Sequence, residues 1–485
     1  MNSERSCYRQ LKSWHELYQA AVGRTGRDPT PQEITRLAGM FPYTVTVEYY
    51  RGAGKHFVSP QVLAILERIY AAMRRVDGVS LYSVQATRAQ NSAKILLDFL
   101  ACCLDKHLKV YEYKSYIGLA LFLDNTLPTQ VTFEEAVERR LNLFKFLLYD
   151  DYCFEARSYL GKETATQDRR DDTIVLQRMA RIVRCLTALN NNVAQVVPCT
   201  PEETAALSLL TPLHDGEADT EKVSQGWAVV EMLRQSTYWD HSVPIDLLLE
   251  LSMLPVYVNH EEYNFIRILQ AFEAIFNIVI MGLQAVINCV YDDRIREASH
   301  HLKLLCDVFR IDVFLFRILM TMPREDFQIF RQYTEGASAI QSPQYKLIEV
   351  LMGTPSSTRW SSPAFKFVPQ IRLFLERTGL NLECVLRERF GKDGEGLNLE
   401  GVNDEQALGL FLRINTLDRM FLDWKKRHFG IASHMIGSDT GTGGSDVIEY
   451  LGRFKGELFF PELEKTLSQR DPSGYILLEP KLCPR

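Results

Sequence analysis

The chain has 485 residues, 46% of them apolar, and a formal net charge of −6. That length and composition give room for two or three domains with sizeable cores and exclude disordered and fibrous classes. Lysines and arginines are scattered, so no basic face is available for phosphate contacts and nucleic acid is not an expected partner.

The N-terminal stretch "MNSERSCYRQLKSW" lacks the apolar core of a secretion signal, and a cytoplasmic location is expected. The ten cysteines are far apart except for Cys102-Cys103 and form no C-x-x-C pair, which reads as reduced, mostly buried thiols. Helix signals dominate from there. Capping boxes at Thr30–Glu33, Thr132–Glu135, Thr200–Glu203 and Asn403–Gln406 each open an apolar-periodic stretch. One clean alternating pattern, "YTVTVEYY" from Tyr43 to Tyr50, predicts a strand. The expected fold class is mainly α.

Residues 1–208 offer charged helices such as "FEEAVERRLNLFKFLLYDDYCFEARSYL" with no metal or nucleophile motif. Asp150-Asp151 in that segment has the makings of a magnesium-binding pair, but a solvated helix face is the simpler reading. The polar, glycine-containing stretch "TPLHDGEADTEKVSQG" follows and marks a boundary. The organisation expected is a helical domain over 1–208 of unknown role, a linker over 209–228 and a second helical domain over 229–485.

In the second half, "HEEYNFIRILQAFEAIFNIVIMGLQAVI" from His260 places Phe265, Leu269, Phe272 and Phe276 on one apolar stripe, which alone reads as core. Its most hydrophobic run, Phe276 to Val290, is too short to span a bilayer and contains Asn and Gln, so no membrane partner is expected. "REDFQIFRQYTEGASAIQSPQYK" from Arg324 puts Phe327 and Arg331 one turn apart, a pairing suited to a flat ring carrying a carboxylate or, more simply, to a surface Arg with its stem on the helix. Near the C-terminus, "WKKRHFGIASHMIGSDTGTGGSDVIEYL" runs from Trp424 into a glycine-rich loop. A phosphate cradle needs strand, glycines and then helix; here the helix comes first and Gly443-Gly444 precedes Ser445-Asp446 rather than a Lys. His428 shares a helix face with Trp424, Ile431, Ala432 and Met435 and has no second ligand at zinc spacing, so it is either a core histidine or the axial ligand of a macrocycle.

Taken together, the segments "HEEYNFIRILQAFEAIF", "DFQIFRQYTEGASAIQSPQYK" and "WKKRHFGIASHMIG" with "GTGGS" resemble, in order, the motifs of the haem-containing tryptophan 2,3-dioxygenase family over about residues 238 to 455. The resemblance implies haem b with His428 as the iron ligand and Trp424, Gly441 and Gly443 beside it. It implies Arg331 for the substrate carboxylate, Phe265 and Phe327 as aromatic walls, and Thr442 on a loop that closes over the amino-acid end of the substrate. Leu269 stands in the substrate site where the family has a histidine and can neither accept an indole N–H nor donate to oxygen. His434 replaces an Arg, and "SDVIEYL" departs from the family's S-S-G-Y-x-Y-L-R.

What the resemblance implies is a haem-dependent dioxygenase that inserts O2 into the indole ring of tryptophan or a related aromatic amino acid, giving an N-formylkynurenine-type product. It also implies the homo-oligomer of the family, a tetramer. Two other readings stand beside it: a haem-dependent mono-oxygenase of an aromatic amino acid in secondary metabolism, and a non-catalytic helical protein that keeps the fold for interaction.

Overall fold

The computed structural model describes residues 2–23, 31–74, 88–119, 121, 132–161, 171–194, 200–210, 220–239, 244–366, 368–392, 395–397, 405–437 and 447–470. Over these the protein is mainly α, as expected, with one two-residue strand, Gly391–Lys392, pairing antiparallel with Glu395–Leu397.

The central element is the helix His260–Tyr291, about 48 Å long at 1.5 Å per residue. Asn259 caps it, its side chain accepting from the Glu261 N–H (2.8 Å). It packs against the helices Phe133–Tyr159, Ile295–Phe309 and Pro343–Met352. The closest approach is at Gly282, where a Cβ would lie 2.3 Å from a Leu305 methyl, so only glycine permits that helix pair to touch. By length and composition this helix is long and apolar enough to cross a membrane, unlike the shorter run inside it. Two thirds of its apolar window is nevertheless buried against the rest of the protein, and its first turns carry buried Glu261, Glu262, Arg267 and Glu273.

Those charges are matched by the first half of the chain. Arg178, on the helix Asp172–Val193, donates to Glu155 Oε1 (2.5 Å), to Glu261 and to Thr321 Oγ1 (2.8 Å). His260 Nε2 lies 3.0 Å from Glu155 Oε2, and Asn264 Nδ2 donates to Asp151 Oδ2 (2.7 Å). Arg267 Nε donates to Asp150 Oδ2 (2.7 Å), which also accepts from the Tyr263 hydroxyl (2.6 Å). Asp150-Asp151 is therefore neither a solvated face nor a metal pair but part of the buried seam holding the halves together. Gln270 Nε2 donates to the Ile117 carbonyl in the same seam.

Three expectations change as a result. Helices on both sides of residues 209–228 contribute to one continuous apolar core, so the packing does not follow a division at 208. Residues 209–210 end the helix Pro201–Leu210, and 220–228 belong to the helix Thr220–Ser236, leaving 211–219 outside the described residues. The predicted strand at Tyr43–Tyr50 is a helix, Tyr43–Ala53. Its buried Thr46, Val47 and Tyr50 lie three and four apart, and the Thr46 hydroxyl donates back to the Pro42 carbonyl (2.8 Å); burial on a helical face overrides the period-two pattern.

The Thr132–Glu135 capping box is present on both sides, and Thr200 Oγ1 accepts from the Glu203 N–H (3.1 Å); Thr30 and Asn403 lie outside the described residues. Among the described cysteines all eight are free and seven are buried.

Removing Arg178 takes away the guanidinium that bridges buried Glu155 and Glu261. Arg178→Met should lower unfolding free energy by roughly 3–5 kcal/mol in urea titrations, as for other broken buried pairs.

Candidate active site

Four helices converge on one cavity, of about 1480 Å³ counted to its open mouth. The central helix presents Phe265, Leu269, Phe272, Glu273 and Phe276 to it, one face at helical spacing. The short helix Arg324–Arg331 presents Phe327, Phe330 and Arg331. Pro343–Met352 supplies Tyr345, Lys346 and Glu349, and the long helix Glu405–Ile436 supplies Trp424, Lys425, His428, Ile431 and Met435.

Of the residues singled out in the sequence, Phe265, Leu269, Phe327, Arg331, Trp424 and His428 thus share one wall system. Phe265 meets Phe327 edge-on at 5.7 Å and Phe330 at 5.4 Å, making an aromatic corner beside Arg331. The Arg331 Nη1 lies 3.4 Å from Gln328 Oε1. Gly441, Thr442 and Gly443 lie outside the described residues.

Trp424 anchors the opposite wall. Its ring packs with Phe276 (5.5 Å), Phe316 (5.9 Å) and Tyr345 (4.8 Å), and His428 stacks on it at 5.1 Å and 24°. Burial, with Lys346 nearby, pushes the His428 imidazole down to about 4. At neutral pH its ring is uncharged and a nitrogen lone pair is available. Among the described residues neither ring nitrogen has a hydrogen-bond partner, and no group of three or more His, Cys, Asp or Glu is placed to hold a metal ion. His434 is exposed and does not line the cavity.

The structure adds residues that the sequence did not mark. Tyr113 and Tyr116, from the first half of the chain, line the cavity, and Tyr116 reaches Phe265 at 6.4 Å. The Tyr113 hydroxyl donates to Glu273 Oε1 (2.9 Å). Glu273 follows Leu269 by one helical turn. Burial raises its carboxyl to about 7, against the opposing pulls of Ser342 and Tyr113. Glu273 was visible within the quoted "LQAFE"; for the tyrosines of "YEYKSY" no spacing pointed to this cavity, because the contact spans 160 residues.

Comparison with known proteins fits this geometry. Residues 229–366 match the family model of tryptophan 2,3-dioxygenase. The tryptophan 2,3-dioxygenase of Erythrobacter litoralis is 28% identical over 238 residues, covering 43% of this chain and 89% of that protein. Those of Cupriavidus necator and Serratia proteamaculans are 26% and 27% identical, covering 51% and 42% of this chain and 94% and 82% of theirs.

Over residues 229–366 the chain is similar to the tryptophan 2,3-dioxygenase family.

The matched segment carries Phe265, Leu269, Phe327 and Arg331, while His428 lies beyond residue 366 and joins them only through folding. The tyrosines come from still farther away, ahead of the matched segment.

The buried Glu273 gives a pH signature. Its carboxyl keeps a proton between about 4.5 and 7 that the unfolded chain releases, so this contribution to stability is present at low pH and lost as pH rises through that window. Glu273→Gln should therefore gain on the wild type by roughly 1–3 kcal/mol between pH 4.5 and 7.5, measured as the difference in urea unfolding free energies.

Proposed function

We propose that this protein is a haem-dependent dioxygenase that inserts O2 into the indole ring of tryptophan or a related aromatic amino acid. The observation that carries the reading is the convergence of His428, the Phe265–Phe327 corner and Arg331 on one cavity.

The residues present fit a haem. His428 offers an uncharged imidazole nitrogen with no protein partner among the described residues. With no carboxylate, thiol or second imidazole grouped around it, a metal there must bring its remaining ligands with it, as a macrocycle does. Phe272, Phe276, Phe316 and Trp424 give the cavity flat apolar walls. His428 would hold the haem, with Trp424 fixing the ring plane of the imidazole. When bound, haem supplies the activation of O2.

The remaining work falls to the chain's own side chains. Arg331 can take a carboxylate through two parallel N–H bonds and so fix the amino-acid end of the substrate. Phe265 and Phe327 hold an aromatic ring between them, and the surrounding apolar residues exclude water. Leu269 contributes shape but moves no proton. That absence is also what favours the second reading, a mono-oxygenase of an aromatic amino acid, and 18O2 labelling separates the two. A dioxygenase places two labelled atoms in the product; a single labelled atom would establish the mono-oxygenase instead. The tetramer and the cytoplasmic location belong to the same proposal, the former open to sedimentation of the full-length chain.

The first check is spectroscopic. The purified protein should show a Soret band, His428→Ala should lose it, and His434→Ala should keep it. Survival of the band in His428→Ala would remove the ligand assignment, and its absence from the wild type would remove haem chemistry altogether.

Arg331→Lys should lower kcat/KM by roughly ten- to a hundredfold, the equivalent of about 1.5–3 kcal/mol for a charge-assisted bond. A decarboxylated analogue should lose little further on that substitution. Equal losses on both substrates would move the carboxylate elsewhere.

A further inference from the structure

Lys346, Arg359 and Lys425 all line the cavity, and among the described residues they have one carboxylate in direct contact between them, that of Glu349. Lys346 Nζ is 2.9 Å from Glu349 Oε2, and Arg359 Nη2 reaches both oxygens of the same group at 2.6 and 2.9 Å. Arg359 Nη1 meets a hydroxyl, that of Tyr450, at 2.8 Å. Lys425 Nζ donates to the backbone carbonyl of Glu457 (2.7 Å) rather than to a carboxylate. The charges of Glu349, Asp418 and Glu457 also act on Lys425 without touching it, and Asp418 is taken up by the N–H groups of Phe459 and Phe460 at 2.9 and 2.8 Å.

Two cations on one buried carboxylate leave positive charge with no water to spread into. The side chains of Lys346 and Glu349 are only 4% and 7% exposed. Burial, then Arg359, pushes the Lys346 ammonium down to about 7, while Lys346 and Arg359 overcome burial to hold Glu349 at about 2. The cationic groups are fixed in place by rings: Lys346 sits 4.6 Å over Tyr345, and Arg359 sits 4.4 Å over Phe454. A preset surplus of buried positive charge facing a cavity is what an anion site looks like before its anion arrives.

We propose that Lys346, Arg359 and Lys425 form a carboxylate-binding pole of the cavity, separate from Arg331, whose occupant is the pair of carboxylates on the edge of a haem. This rests on the haem reading above. Lys425 precedes His428 by one turn of the same helix, and Lys346 acts on His428 through its charge, so pole and imidazole belong to the same region. Arg331, on another helix, is left for the single carboxylate of an amino acid.

The test compares haemin with haemin dimethyl ester, which lacks free carboxylates, on the full-length chain. Each is loaded, and its release to excess apomyoglobin is followed by Soret absorbance. The wild type should release the ester about tenfold faster or more, consistent with loss of charge-assisted bonds; Lys346→Met should narrow that ratio, and Lys346→Arg should preserve it. Before loading, Lys346→Met should melt no lower than the wild type, because it removes a surplus charge. A lower melting temperature makes Lys346 a structural ion-pair partner and overturns the pole. Equal release of the two forms by the wild type, with intact Soret bands, overturns the pole and leaves the haem reading standing. No Soret band with either form overturns both. Weaker tryptophan binding in Lys346→Met with unchanged haemin release puts a substrate carboxylate there and overturns the haem assignment.

Discussion

The structure depends on one buried ionic seam. The first turns of the central helix carry Glu261, Glu262, Arg267 and Glu273 into the interior, where unpaired charges cost several kcal/mol each. Arg178 bridges Glu155 to Glu261, and Asp150 answers Arg267. Arg178, Glu155 and Asp150 all come from residues 133–193, whereas Glu262 accepts from the N–H groups of Val256 and Tyr257 and Glu273 from the Tyr113 hydroxyl. Hydrophobic contact alone would let these helices slide; paired charges at fixed positions set their register.

That register is what shapes the cavity. With Arg267 committed to the seam, the opposite face of the same helix, Phe265 through Phe276, is turned toward Trp424 and Phe327. Leu269 falls on this face by helical geometry, whatever its chemistry. Its replacement of an imidazole removes a hydrogen-bonding group without disturbing the packing, since an apolar side chain costs nothing to bury there. Polar function in this part of the cavity then falls to Glu273 and Tyr113, one turn away.

Charge divides the cavity walls. His428 is kept neutral by burial and by the nearby Lys346, whereas the guanidinium of Arg359 is pinned by Glu349. A neutral nitrogen donor beside fixed cations is a combination that no single helix supplies. Pro343–Met352 brings Lys346 and Glu349, Ser357–Trp360 brings Arg359, and Glu405–Ile436 brings Lys425 and His428.

The sequence by itself determined the helical class, the capping boxes at Thr132 and Thr200 and the apolar face from Phe265 to Phe276, while Phe327, Arg331, Trp424 and His428 were grouped by the family resemblance. The first three are readable because helical periodicity and local motifs repeat within a few turns of chain. It misread "YTVTVEYY" as a strand and Asp150-Asp151 as solvated. Only tertiary structure decided those points, and only it brought Tyr113 and Tyr116 to the cavity and gave Glu349 two cations. The two cations of Glu349 lie only three and ten residues away, and the turn of the chain between them sets their meeting. Elsewhere burial and charge pairing are settled by partners more than a hundred residues away, as for Asp150 and Arg267 or Tyr113 and Glu273, and no local pattern encodes which distant group will arrive.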